Sequence, residues 1–423
     1  MERLSTLKIG KKSAISHYLH PMNNRPLLTA LTGISILALT TTHLHAQKIF
    51  AEQRVIIVMM DGFAEKYYRA AAMPFLNQME KDGIYRVVPS LMPAVTNVNN
   101  MAIATGTTPD ENGITGNVFF NQEKQQEEYV EDPSLLLKPS LFEQAHALGI
   151  RTALLSVKQK TIDVLGKYAD YTLCPECVAA HENKWKGPIA LADVYTREIN
   201  YQIMDAANTL LKNDPGVRLI YIHTTDYPMH MWPPESDSVK EFLTKMDSCI
   251  AILHQTAPDA AILITADHGM NHKSQAWDLQ QACADRHTPV KIVISPEKDR
   301  YMKHHKGLGG SAYVYLLKAG DSAAVRKTLE GLKGVDAVLT KTEAAKQYHL
   351  MPGRIGDFMV LGDVNTVFGQ LNGNAYEQLP DTYRSHGSTY KARVPLFVYN
   401  AKHAPAAGYF NWNYQLAAWL FSK

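Results

Sequence analysis

The chain has 423 residues, 46% of them hydrophobic and 20% charged, with a formal net charge of +2 at pH 7. A chain of this length buries a large core, and one α/β domain with an insertion suits it better than several small domains. The balanced charge lacks the basic stripe of a nucleic-acid-binding surface, so no nucleic-acid partner is implied.

The N-terminus differs in kind from the rest. Arg3, Lys8, Lys11, Lys12 and Arg25 precede an uncharged stretch from Pro26 to Thr42, and Ala46 comes shortly after. A basic region, an apolar region and a small residue describe a secretory signal peptide over residues 1–46, with Met22 as an alternative start. The threonine-interrupted stretch falls short of the ~20 apolar residues of a spanning helix. The expectation is an exported, periplasmic protein with no stable membrane insertion once the leader is removed, acting alone or as a homodimer.

After the leader, Arg54–Met60 is an unbroken apolar run of strand length that Asp61-Gly62 stops. Pro74 fits a helix first turn, with Phe75, Leu76 and Met79 on one face and Gly83 as its end. Thr96 precedes the helix-like Met101–Ala104. Ser140 and Glu143 have capping-box spacing, and Gly149 closes that helix before a strand over Thr152–Val157. A helix is expected over Asp193–Asn213, a strand over Val217–Ile222 leading to Asp226, a helix over Ser236–Thr256, and a strand over Ala260–Ala266 ending at Asp267-His268-Gly269. Unalternated, β-branched runs suit strands covered on both faces. Their alternation with helices predicts an α/β fold with a doubly wound, mostly parallel sheet and helices on both faces.

Three of these strands end in a residue of metal-ligand type, at the edge where open α/β sheets bind their ligands. Asp61, Asp226, His230, Asp267, His268 and His386 supply three carboxylates and three imidazoles, and Thr96 adds a hydroxyl. That set can hold two divalent ions ~3.5 to 4 Å apart around a nucleophile, the arrangement of hydrolases that act on phosphorus esters or phosphonates. Mixed carboxylate and imidazole donors suit two Zn2+, with Mn2+ or Fe2+ as alternatives. Asp226 and His230, four apart, share one face of a helical turn. Taken singly, each residue has a plainer use: an Asp after a strand caps a helix, a lone His is a satisfied surface group, and Thr96 is an N-cap. Their combination at strand ends favours a site. Lys158 and Lys160 follow the Thr152–Val157 strand, and their spacing in an extended segment points both side chains one way. His223, Asp247, His272, His304 and His305 are expected to be structural or supporting. Cys174-Pro175-Glu176-Cys177 has no second CxxC to complete a zinc cage, so a local disulfide is its expected use and thiol catalysis is not supported.

Several pieces together carry a family resemblance: Asp61-Gly62, Thr96-Asn97-x-Asn99-Asn100, Gly113-Ile114-x-Gly116-Asn117, Thr225-Asp226-Tyr227-x-x-His230, Asp267-His268-Gly269-Met270 and Ser385-His386-Gly387. From Arg54 onward the chain resembles the alkaline phosphatase superfamily, whose ligand pattern is shared with nucleotide pyrophosphatase/phosphodiesterases. Val157-Lys158-Gln159-Lys160, Gly309-Gly310-Ser311 and the asparagines after Thr96 look most like its phosphonoacetate hydrolase branch. Val95 and Val98 depart from the pattern expected beside the nucleophile.

The resemblance implies one ion on Asp226, His230 and His386, and another on Asp61, Thr96, Asp267 and His268. It also implies a phosphothreonine formed on Thr96, Asn117 donating to a phosphonyl oxygen, and Lys158 and Lys160 meeting the charges of a small phosphonate. Residues 47–272 and 384–423 would form the catalytic core. Residues 273–383 would be an inserted α+β cap, with strands Tyr313–Leu316 and Phe358–Leu361 and a helix Ser322–Lys333. A phosphodiesterase acting on another ester is the alternative.

Overall fold

A computed structural model describes residues 44–174, 192–299, 306–390 and 392–422. Every residue of Val55–Met59 is buried, so this run needs cover on both faces, and it forms strand β1 inside a seven-stranded sheet. Burying each such side chain contributes about 1.5–3 kcal/mol. The other strands are β2 (Ile84–Pro89), β3 (Arg151–Ser156), β4 (Tyr171–Leu173), β5 (Val217–His223), β6 (Ala261–Thr265) and β7 (Arg393–Tyr399). They lie in the order β2-β7-β6-β1-β5-β3-β4. β7 pairs antiparallel with both neighbours, while the pairings from β6 through β1, β5 and β3 to β4 are all parallel.

Register decides where the loops emerge. Met59, the last residue of β1, stands opposite His223 of β5 and Thr265 of β6. Three neighbouring strands therefore end level, and the chain leaves all three toward one face.

The helices are α1 (Pro74–Asp82), α2 (Thr96–Thr105), α3 (Leu141–Ala147), α4 (Gln159–Leu165), α5 (Glu198–Asn213), α6 (Tyr227–Met231) and α7 (Asp237–Thr256). α1 starts at Pro74 and buries Phe75, Leu76 and Met79, as its pattern predicts. α3 is capped by the Ser140 hydroxyl, which accepts from the Glu143 amide. α5 begins at Glu198, later than expected, because the Asp193 carboxylate accepts from the Tyr195 amide and the Thr196 hydroxyl donates to the Asp193 carbonyl, holding a turn there. A further helix over residues 44–52 packs Ile49 and Phe50 into the core. Among the described residues no helix is long and apolar enough to cross a membrane.

Residues 273–383 build two sheets of their own. Ile292–Ile294, Ser311–Tyr315, Phe358–Gly362 and Val335–Thr340 form an antiparallel four-stranded sheet in that order; Thr366–Phe368, Gln275–Trp277 and Tyr376–Gln378 form a three-stranded one. The helix between them spans Ser322–Glu330 and stops at Gly331, short of Lys333. Asn271–His272 pairs antiparallel with Arg384–Ser385, so the chain returns from this segment beside the point where it left. Cys174 is buried, and the expected Cys174–Cys177 pairing lies outside the described residues because Cys177 does, as do His304 and His305.

Asp247 of α7 serves the fold. Its carboxylate accepts from the backbone amides of Phe75 at 3.0 Å and Leu76 at 2.8 Å, satisfying the N-terminus of α1 from a neighbouring helix. Asp247→Ala leaves two buried amides without partners and is expected to lower unfolding stability by about 1–3 kcal/mol. A thermal or urea melt of the variant at unchanged metal content measures this.

Candidate metal centre

Each strand end delivers its expected ligand. Asp61 lies two residues beyond β1, fully buried, with its amide donating to the Thr224 hydroxyl at 2.9 Å. Asp226 precedes α6 and His230 stands within it, so the four-residue spacing becomes one helical turn, with 2.9 Å between His230 Nε2 and Asp226 Oδ2. Asp267 and His268 follow β6; Asp267 Oδ1 accepts from the amides of Gly62 and His268, which ties the loops after β1 and β6 together. His386 comes in from the Arg384–Ser385 pairing, and its ring stacks on His268 with centroids 3.5 Å apart. Thr96 opens α2, with Val95 as the extended residue before it, so its hydroxyl sits at the positive end of that helix.

The three imidazoles carry a common signature. Nδ1 faces a backbone carbonyl in each: Arg384 at 2.9 Å for His230, Ala94 at 2.9 Å for His386 and Gly269 at 3.2 Å for His268. A neutral imidazole that donates Nδ1–H there presents Nε2 as a lone pair, the atom a metal takes. Those lone pairs point at carboxylates. His268 Nε2 lies 3.3 Å from Asp61 Oδ1 and 3.2 Å from Asp267 Oδ2, and His386 Nε2 lies 3.7 Å from Asp226 Oδ2. Asp61 Oδ1, Asp267 Oδ2 and His268 Nε2 have no hydrogen-bond partner although all are buried. Lone pairs and carboxylate oxygens gathered in this way repel one another unless a cation lies among them.

The donor atoms meet the size requirement too. Those of Asp226, His230 and His386 lie within 4.8 Å of one another, as do those of Asp61, Asp226 and His268, and Asp226 belongs to both groups. The residues thus fit a divalent-metal centre.

Titration reflects the same crowding. Burial and the charge of Asp226 oppose ionisation of Asp61, yet the Lys158 ammonium, the His223 hydrogen bond and His268 outweigh them and hold its carboxyl low. Burial likewise opposes ionisation of Asp226, but Lys158 and His230 hold it well below the usual range. Burial and then Asp61 push Asp267 well up, while burial lowers His268 to about 4. Three carboxylates cannot all ionise here on the charge of one lysine.

Lys158 and Lys160 separate at the end of β3. Lys158 is the extended residue that opens α4, and its Nζ reaches Asp61 Oδ2 at 2.5 Å, Asp226 Oδ1 at 3.1 Å and Thr96 Oγ at 3.5 Å. Lys160 is already inside α4, so the strand-like spacing expected for the pair does not apply, and its Nζ donates to Asp299 Oδ2 at 2.6 Å. Asn117 is brought beside the nucleophile: its Oδ1 accepts from the Asn97 amide at 3.2 Å and its Nδ2 donates to the Glu297 carbonyl at 3.3 Å. His223 supports the site from below, with Nε2 3.4 Å from Asp61 Oδ2 and Nδ1 among Asn100, Ser156 and Thr161. Glu297, which no sequence motif singles out, is 2% exposed and lies 3.2 Å from His386 Nε2. Its only sequence signal is a carboxylate just past a short strand, Ile292–Ile294.

Comparison with known proteins agrees with this geometry. The family model for type I phosphodiesterase / nucleotide pyrophosphatase matches residues 55–389, well over half of the chain. An ectonucleotide pyrophosphatase/phosphodiesterase of Caenorhabditis elegans is 23% identical over 385 residues, 84% of this chain; the chain spans only 41% of that relative's length. Among solved structures, phosphonoacetate hydrolase from Sinorhizobium meliloti 1021, in complexes with phosphonoformate and with phosphonoacetate, is 28% identical with a TM-score of 0.78, covering 88% of this chain and 95% of that one. Murine ectonucleotide pyrophosphatase / phosphodiesterase 5 shares the fold at 16% identity and a TM-score of 0.58, over 82% of this chain and 87% of that one.

Because Asp226 belongs to both donor groups, Asp226→Ala is expected to lower divalent-metal affinity more than His230→Ala, which removes a donor from one group. Metal analysis after dialysis against a chelator should find affinity for the affected ions down by at least about tenfold.

Proposed function

Because the chain belongs to the type I phosphodiesterase / nucleotide pyrophosphatase family, a group of hydrolases within the alkaline phosphatase superfamily, we propose that it cleaves the carbon–phosphorus bond of phosphonoacetate, giving acetate and phosphate. The observation that carries this reading is the placement of Lys158, whose ammonium lies 3.5 Å from Thr96 Oγ. Breaking a carbon–phosphorus bond expels a carbanion, tolerable only when an adjacent carboxylate delocalises it as an enolate. A half-buried cation beside the nucleophile opposes that growing charge. A phosphodiester, whose leaving group is an alcohol or phenol oxygen, makes no such demand.

Two divalent ions, zinc in this reading, would be held by Asp226, His230 and His386 and by Asp61, Thr96, Asp267 and His268, and would supply Lewis-acid charge at phosphorus. Thr96 Oγ, its proton released to solvent, attacks phosphorus as the carbon–phosphorus bond breaks, forming a phosphothreonine. The electron pair leaves with the acetate enolate, which Lys158 stabilises until it takes a proton from water, while Lys160 stays paired with Asp299. Asn117, fixed against the start of α2, donates to a phosphonyl oxygen. Water then cleaves the phosphothreonine, releasing phosphate and restoring the hydroxyl. The dipole of α2 favours negative charge at Thr96 throughout.

Residues 273–383 act in this proposal as the cap that shapes the pocket for a small substrate, and the leader at residues 1–46 has the enzyme working outside the cytoplasm. The second reading, a phosphodiesterase, draws on the family match and the Caenorhabditis elegans relative.

Phosphate release from phosphonoacetate, set beside hydrolysis of an aryl phosphodiester, separates the two. The wild type is expected to prefer phosphonoacetate. Lys158→Ala should lower kcat/KM for it by about 10²–10³ while leaving the diester within a few-fold. Thr96→Ala should abolish both activities at full metal content. A wild-type preference for the diester, indifferent to Lys158, would move the enzyme to the phosphodiesterase reading.

A further inference from the structure

Glu297 belongs to neither set of metal ligands, yet residues 295–297 grip the site at two places. Backbone carbonyls of Pro296 and Glu297 accept from Asn117, at 2.7 Å from its amide and 3.3 Å from its side-chain Nδ2. The Glu297 side chain turns the other way, to Ser385 and His386.

There it meets the wrong partner for a metal-free site. His386 Nδ1–H is committed to the Ala94 carbonyl, so the Nε2 that lies 3.2 Å from Glu297 Oε1 is a lone pair. The Ser385 hydroxyl has one proton to share between the Leu308 carbonyl at 2.6 Å and Glu297 Oε1 at 3.0 Å. Glu297 Oε2 is buried with no hydrogen-bond partner. Two acceptors held this close in a site without solvent must share a positive particle, either a proton or the ion that His386 serves.

The space around Glu297 is cut to fit it. A Cβ on Gly309 would lie 2.7 Å from Glu297 Oε2 and 2.8 Å from its Cβ, and one on Gly387 would lie 3.2 Å from Oε2. The carboxylate therefore cannot turn away from His386 toward these backbones.

We propose that Glu297 is a positioning residue of the metal centre, supplied by the inserted segment: its carboxylate places negative charge beside the ion bound by Asp226, His230 and His386, on the Nε2 side of His386. It stands outside that trio and meets it at His386 Nε2. Residues 273–383 and the ion at His386 are then linked, since one short loop orients Asn117 with its backbone and brings a carboxylate to His386 Nε2 with its side chain. The inference rests on the metal centre of the proposed function and not on the choice of substrate.

The test is metal binding by the full chain, as wild type, Glu297→Gln and Gly309→Ala, with zinc titrated against a chelator and cobalt(II) absorption as a second readout. Glu297→Gln keeps the shape and removes the charge; Gly309→Ala keeps the charge and displaces it. Both are expected to weaken one of the two ions by about 10- to 100-fold, the range for residues that support metal ligands, to leave the other unchanged, and to alter the cobalt spectrum. Unchanged affinities and spectrum in a folded Glu297→Gln would overturn the inference, leaving Glu297 as a group that shares a proton with His386. A wild type that binds no divalent metal would overturn the metal centre itself, and an intact centre with no activity on phosphonoacetate would overturn only the substrate.

Discussion

Burial of negative charge is the constraint on which this structure turns. Asp61, Asp226 and Asp267 are almost wholly excluded from solvent, and three imidazoles face them with Nε2 while Nδ1 faces a backbone carbonyl. Such a cluster is costly to assemble and is stable only when cations occupy it. Lys158 supplies one positive charge at 2.5 Å from Asp61, and the donor groups around it fit a divalent metal. Backbone carbonyls set the tautomer of each imidazole, so the ligand atoms are presented in advance.

The sheet exists to deliver these groups to one place. Neighbouring strands, paired so that Met59, His223 and Thr265 stand side by side, end at one level. Asp61, Asp226 and Asp267 then need only the first few residues of each loop to converge. Helices fix the ligands beyond those loops: α6 stacks His230 over Asp226, and α2 points its amide end at Thr96. The pairing of Asn271–His272 with Arg384–Ser385 does the same for His386, across more than a hundred residues of inserted chain.

The inserted segment is part of the site's electrostatics. Asp299 holds Lys160, Glu297 faces His386, and the carbonyls of Pro296 and Glu297 orient Asn117.

Strand periodicity and strand-end residues were enough to read the parallel core, the three carboxylates at its strand ends and the Asp226–His230 pair, because each depends on local pattern: unbroken apolar runs, a carboxylate at their ends, and a four-residue spacing on one helical turn. Tertiary structure alone decided the rest. The two lysines diverge because α4 starts between them, a boundary that the pattern Val157-Lys158-Gln159-Lys160 does not mark. Asp193 delays α5 through a side-chain turn that competes with the helix. Glu297 and His223 acquire their roles from contacts with His386 and Asp61, residues 89 and 162 positions away, and no local sequence rule encodes a pairing at that range. Sequence determined which groups the chain can offer to a metal; folding determined which buried charges surround them, because electrostatic interaction depends on distance in space and not along the chain.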